Sequence, residues 1–152
     1  MNPYIELETR FRRIGALEEA EGILHWDMSV IMPKGGAESR AEQLAAIKLT
    51  IHDLLTDSTL ATLLDAAEEV PPADAWQAAN MREMRRLWRH ANAVEGDLVE
   101  ALSKASSRCG MIWRDARPKD DFAAVSESLS EVLDLVRQKA QTKASVLGVT
   151  PY

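Results

Sequence analysis

The chain has 152 residues, 46% hydrophobic and 28% charged, a balance that is typical of a folded globular protein and excludes an intrinsically disordered one. The formal net charge of -6 argues against nucleic acid as the main partner, because binding a phosphate backbone requires a concentrated basic surface. The single cysteine, Cys109, excludes an intramolecular disulfide and a thiolate metal cluster.

Apolar residues recur at three- and four-residue intervals through almost the whole chain, and this spacing predicts helices. The first helix is predicted from about Asn2 to about Met28, with Asn2 as its cap and Pro3 in its first turn. Gly15 and Gly22 interrupt this pattern, and close packing of a neighbouring helix would explain both. The predicted buried stripe of this helix consists of Leu7, Phe11, Ile14, Leu17, Leu24 and Met28.

Proline, glycine and short polar residues mark the corners between the later helices. The predicted corners lie at residues 32–36, 56–58, 70–72, 92–96 and 117–120. Asp74 caps the fourth helix, Asp120 or Asp121 caps the sixth, and Gly148 fits the position after a helix end. The sixth helix shows an apolar pattern that begins at Phe122. Short links between sequential helices predict antiparallel packing. We therefore expect an all-α fold, a single helical domain over residues 1–152 made of a bundle of about six helices.

The first residues show no basic segment followed by an apolar core, so we expect no signal peptide. No apolar run approaches the roughly 18 residues that span a bilayer, so we expect no membrane partner. These features and the lone cysteine predict a reducing, cytoplasmic setting. Cys109 lies in a helical apolar pattern, and we interpret it as a small core residue.

Three histidines are present, at His25, His52 and His90, and none belongs to an H-E-x-x-H motif or to a Glu-x-x-His pair. Glu21 lies four residues before His25, which indicates a hydrogen bond on a helix surface more than a metal site, since zinc needs three or four ligands. The sequence therefore predicts no catalytic residue and no metal ligand in this chain.

A cluster of basic residues occupies the fourth predicted helix. It consists of Arg82, Arg85, Arg86, Arg89 and His90. Arg82, Arg86 and Arg89 share one helix face. The alternatives are a phosphate site and a face that is solvated or supplies partners for the many carboxylates. We favour the second, because neither an aromatic ladder nor a glycine loop accompanies the cluster.

The densest group of mixed residue types surrounds the corner between the first two helices. This group, the motif corner, consists of His25, Trp26, Asp27, Met32, Pro33, Gly35, Arg40 and Gln43. In one interpretation the motif corner is part of a cleft wall. In the other, Asp27 or Arg40 ties a helix end to the turn while Trp26 fills the core, because helix ends leave backbone groups that need partners.

The runs I-L-H-W-D-M at 23–28 and M-P-K-G-G-A-E-S-R-A-E-Q at 32–43 resemble the amino-terminal signature of the thermostable, Taq-type zinc metallocarboxypeptidases. The run W-R-D-A-R at 113–117, followed by D-F at 121–122, is similar to the family's W-x-x-A-R…F segment. The run L-G-V-T-P-Y at 147–152 looks like the point where the family enters a further long stretch.

The resemblance implies helical, cytoplasmic, usually dimeric zinc or cobalt enzymes that remove single amino acids from the carboxyl ends of peptides. In the family, two histidines of H-E-x-x-H and a later glutamate hold the metal, and the glutamate of the motif is the general base. This chain contains no residue that matches them. The resemblance therefore implies an amino-terminal lid or wall that is inactive alone and carries no cofactor. Its implied partner is a catalytic carboxyl-terminal region or a second copy, and peptide substrate binds only to the full-length form.

The alternative is a free-standing helical module that associates with itself or with a partner. A lid separated from its enzyme exposes apolar surface, and such patches drive association. Trp76, Trp88 and Trp113 are candidates for this surface, although tryptophans at helical spacing usually lie in a core.

Overall fold

The computed structural model describes residues 2–151, which form a packed helical bundle without a strand. Its six α-helices are α1 (Pro3–Val30), α2 (Ala37–Thr56), α3 (Ser58–Glu68), α4 (Ala75–Asn92), α5 (Gly96–Ala116) and α6 (Phe122–Leu147). Short 3-10 helices at Lys34–Gly36 and Arg117–Lys119 lie at two of the corners. The predicted all-α fold is confirmed over the described residues. None of these helices is both long enough and apolar enough to cross a bilayer.

Polar side chains begin four of the helices by accepting a backbone N–H in the first turn. These caps are Asn2, Asp57, Asp74 and Asp121, which accept from Tyr4, Thr59, Gln77 and Ala124. Asp121, and not Asp120, is therefore the cap of α6. Gly148 ends α6 in the left-handed conformation with φ of 69°, as predicted. Helix α1 continues two residues beyond the predicted end at Met28.

The core consists of three clusters of buried apolar side chains. The first joins α1, α3 and α4 and contains Leu7, Leu60, Leu64, Ala67, Met81 and Met84. The second joins α1 and α2 through Ile14, Ile51 and Leu55. The third lies between α5 and α6 and contains Cys109, Ala116 and Val125. The buried position expected for Cys109 is confirmed.

Helix α5 lies between α2 and α6, and its buried side chains are all small. They are Ser103, Ala105, Ser107, Cys109 and Ala116. At its start, a Cβ on Gly96 would lie 3.2 Å from Cδ1 of Leu49, so glycine allows the close approach of α2. The Nε2–H of His52 donates to the Val94 carbonyl at 2.7 Å and fastens the α4–α5 corner to α2.

Two sequence-based expectations about helix faces are wrong. Trp26 and Phe122 leave 58% and 69% of their surfaces exposed, so neither fills the core. A Cβ at Gly15 or Gly22 would meet no atom within 4 Å, so no helix packs closely against either glycine. Helical spacing predicts an apolar face correctly, but it does not specify whether another element covers that face.

Replacing Gly15 or Gly22 with alanine should raise the free energy of unfolding by roughly 0.5–1 kcal/mol each, because alanine reduces the backbone entropy lost on folding and meets no neighbour. Urea unfolding followed by circular dichroism measures the change. Gly148→Ala is the matched control and should be destabilising, since φ at this position is 69°. Destabilisation at Gly15 or Gly22 would contradict the open surroundings described above.

Candidate functional site

Arg40, near the start of α2, contacts the last two turns of α1. Its guanidinium lies 2.5 Å from Oδ2 of Asp27 and donates a 2.8 Å hydrogen bond to the Leu24 carbonyl. Its Nε donates to Oε1 of Gln43 at 2.9 Å. The Arg40 and Asp27 side chains are 15% and 25% exposed, so this ion pair is largely shielded from water. Arg40 therefore joins α1 and α2 through both a charge and a backbone carbonyl.

A second arginine reaches the same helix end from α5. The Arg114 guanidinium donates a 2.6 Å hydrogen bond to the Met28 carbonyl, which lies in the last turn of α1. Carbonyls there have no partner within the helix, and the helix dipole makes that end negative, so a cation is favourable. Beside it, Lys34 lies 2.6 Å from Asp115, and this hydrogen bond lowers the pKa of the Asp115 carboxyl.

The turn after α1 depends on Met32. The Asp27 carbonyl accepts from the backbone N–H groups of Ile31 and Met32 at 3.0 and 2.9 Å. The Met32 side chain is buried, and a Cβ on Gly36 would lie 3.2 Å from its Cγ, so glycine leaves room for it. Pro33 and Gly35 are exposed on the outside of the turn.

The structure brings together only part of the motif corner. Asp27, Arg40 and Gln43 form one network that joins the end of α1 to α2. Trp26 is exposed, which contradicts the interpretation that placed it in the core. A role as a cleft wall stays a prediction. Sequence reasoning missed the contacts of Arg114 and Asp115, although the run W-R-D-A-R contains both residues.

The three histidines occupy separate environments. Nε2 of His25 lies 3.3 Å from Glu21 on the same face of α1, as predicted, and Lys48 shares that carboxylate at 3.4 Å. His52 binds the Val94 carbonyl, and Nδ1 of His90 lies 3.4 Å from the ammonium of Lys143. Within residues 2–151 no group of three or more His, Cys, Asp or Glu side chains is arranged to hold a metal ion. The metal that the resemblance implies therefore does not fit the described residues.

The tryptophans named as candidate contact residues differ in exposure. Trp76 and Trp113 are 80% and 48% exposed, whereas Trp88 packs against the first core cluster. Trp113 and Phe122 border a groove of about 550 Å³ between α5 and α6, which we call the α5–α6 groove. Its floor contains Cys109, Val125 and Leu129, so the groove is mainly apolar.

The chain is similar to carboxypeptidases over nearly its whole length. A model of the carboxypeptidase Taq (M32) metallopeptidase family matches residues 6–152. Thermostable carboxypeptidase 1 of Thermus thermophilus is 32% identical over 135 residues, which cover 86% of this chain and 26% of that protein. Thermostable carboxypeptidase 1 of Pyrococcus furiosus is 26% identical over 136 residues, which cover 90% and 27% of the two chains.

A solved structure extends this similarity to the fold. Metallocarboxypeptidase 1 of Trypanosoma cruzi superposes with a TM-score of 0.74 at 30% sequence identity. The superposition covers 100% of this chain and 30% of that one. The chain thus spans about a quarter of the length of the curated relatives it matches.

Replacing Arg40 with glutamine should lower the free energy of unfolding by about 2 kcal/mol or more, because Asp27 keeps a partly buried charge without its partner. Arg86→Gln is the matched control. Its ion pair with Glu83 at 2.5 Å is 54% exposed on both sides, so the expected loss is much smaller. Urea unfolding measures both variants, and equal losses would contradict the special contribution of Arg40.

Proposed function

This chain belongs to the carboxypeptidase Taq (M32) metallopeptidase family, and on that premise we propose that it is the amino-terminal helical part of a metal-dependent carboxypeptidase that removes carboxyl-terminal amino acids from peptides. We further propose that it is inactive alone. One observation carries this proposal. The family match covers almost the whole chain, but the sequence has no H-E-x-x-H motif and residues 2–151 offer no group of metal ligands.

In this proposal the chain supplies a lid or wall of the substrate groove, in a cytoplasmic enzyme. The zinc or cobalt ion, the general base and the peptide substrate belong to the carboxyl-terminal catalytic region of the longer family fold. The contacts that anchor the motif corner support the proposed role of the chain as a wall of the substrate groove. Arg40 and Arg114 hold the end of α1 from two directions, so the exposed Trp26 is displayed on a firmly anchored helix.

An exposed apolar stripe on α1 supports the proposed contact with a catalytic region. Ile23, Trp26 and Val30 are spaced by three and four residues, so they share one face of the helix. Their exposed fractions are 66%, 58% and 58%, which are large for apolar side chains on an isolated folded chain. Contiguous apolar surface of this kind is typical of an interface. We propose that the catalytic region of the family fold covers this stripe.

The isolated chain should release no carboxyl-terminal amino acid from short peptides when zinc or cobalt is added. Chromatography of the products, with and without a chelator, measures release, and the full-length Thermus thermophilus relative serves as the positive control. Chelator-sensitive release that disappears in a His25→Gln, His52→Gln and His90→Gln triple variant would contradict the proposed inactivity. Release that persists in that variant would come from a contaminating peptidase.

A second candidate function, self-association, is favoured by the α5–α6 groove. Trp113 and Phe122 expose 48% and 69% of their surfaces at its border, and a second copy of the chain would cover both. This candidate predicts a homodimer and requires no catalytic region.

If self-association is the function, sedimentation velocity should show a dimer that grows with concentration, and Trp113→Ser should shift the equilibrium toward monomer because an aromatic anchor is lost. Trp76→Ser is the matched control, since Trp76 is also exposed but does not line the groove. A strict monomer at every concentration would contradict this candidate and leave the first proposal unaffected.

A further inference from the structure

A basic groove of about 350 Å³ lies between α4 and the end of α6. Arg82, Arg86 and Arg89 form its α4 side at the spacing that places them on one helix face. Leu147 and Val149 lie across from them at the end of α6. We call this feature the basic groove. Neither the motif corner nor the α5–α6 groove shares a residue with it.

The positive charges of the basic groove are only partly balanced. Arg85 also borders it, but its guanidinium lies 2.6 Å from Asp65 and 2.8 Å from Glu68, so it is neutralised by α3. Arg86 pairs with a single carboxylate, Glu83. Arg82, Arg89 and Lys143 form no ion pair with any carboxylate among residues 2–151.

Stabilisation of helix ends accounts for only part of this cluster. Arg89 and His90 lie in the last turn of α4, where a cation complements the helix dipole. Arg82 and Arg86 lie one to three turns earlier, where the dipole effect has fallen off. The last turn of α6 contains no basic residue, so Lys143 does not serve this purpose either. Arg86 pairs with Glu83, so Arg82 and Lys143 are the groups left without an ion pair or a helix-end role among residues 2–151.

Neighbouring positive charges lower the pKa values of His90 and Lys143. Burial, together with the charges of Lys143, Arg86 and Arg89, lowers the pKa of His90, and only Glu83 acts in the opposite direction. Burial and the charges of Lys139 and Arg86 lower the pKa of Lys143. Nζ of Lys143 on α6 and Nδ1 of His90 on α4 are 3.4 Å apart. Two groups that can bind a proton thus lie side by side. Of these two groups His90 also lines the basic groove, so an anion bound in the groove would favour the protonated form of its imidazole.

We propose that the basic groove binds a small polyvalent oxyanion of the phosphate or sulfate type, held by Arg82 and Arg89. Arg86 adds positive charge beside them, but its Nε and Nη2 already donate to Glu83. Guanidinium groups offer pairs of N–H donors whose spacing matches two oxygens of such an anion. The apolar side chains of Leu147 and Val149 reduce the local dielectric constant and strengthen these charged hydrogen bonds. The site is independent of the proposed peptidase function, since it uses none of the residues assigned to that role.

Sulfate is the probe of choice, because it does not titrate near neutral pH. Binding is measured by NMR titration of the 152-residue chain with sodium sulfate, against sodium chloride at matched ionic strength. We expect saturable binding of one sulfate. The Arg82→Gln/Arg89→Gln double variant should bind at least about tenfold more weakly, since it loses two charged donors.

The matched control is the Arg12→Gln/Arg13→Gln double variant. Both arginines are exposed on α1, form no ion pair among residues 2–151 and lie outside the groove, and the change in net charge is the same. This variant should bind sulfate like the wild type. Circular dichroism checks that both variants are folded. Equal weakening in the two variants, or no saturable binding in the wild type, would overturn the proposal.

The pH dependence gives a second readout. Bound sulfate should raise the pKa of His90, because the anion stabilises the imidazolium that Lys143, Arg86 and Arg89 disfavour. Binding then takes up a proton, so the affinity for sulfate should increase as the pH falls from about 7.5 to about 5.5. The shift of the His90 ring signals reports this pKa directly. An unchanged pKa at saturating sulfate would place the anion elsewhere and overturn the site.

Discussion

Two guanidinium groups near the end of α1 connect this helix to α2 and to α5. The last carbonyls of a helix need donors from outside it, and Arg114 of α5 supplies one to the Met28 carbonyl of α1. Arg40 of α2 donates to the Leu24 carbonyl farther inside the helix and pairs with Asp27. The shielded pair of Arg40 and Asp27 ties α1 to α2, and removing either charge would leave the other partly desolvated. These contacts join the corner between α1 and α2 to α5.

The remaining packing divides the bundle into two regions. Helices α1 to α4 share two adjoining core clusters with fully buried leucines at Leu7, Leu60 and Leu64. Helix α6 instead packs mainly on α5, through the small cluster around Cys109 and Val125. The small buried residues of α5 allow close approach but contribute little apolar area per contact. Helix α6 therefore depends on α5 for most of its packing.

The sequence allowed most of the fold to be predicted, because the helix starts depend on local hydrogen bonds. Asp74 and Asp121 cap their own helices within three residues. Gly148 ends α6 through a local hydrogen bond to the Ala144 carbonyl. The exposure of Trp26 was not predictable from spacing, since an apolar stripe looks the same whether or not another element covers it. The contact of Arg114 with Met28 joins residues 86 positions apart, and no periodicity encodes such a pairing.

The thiol of Cys109, the single cysteine of the sequence, can report on the contact between α5 and α6. Cys109 is 9% exposed and lies in the cluster that holds α6. Cys109 also lies on the floor of the α5–α6 groove, so the rate at which a thiol reagent labels it follows access to that groove. Because no other cysteine reacts, the kinetics describe one event at one place. The labelling rate of Cys109 therefore measures how accessible the seam between α5 and α6 is.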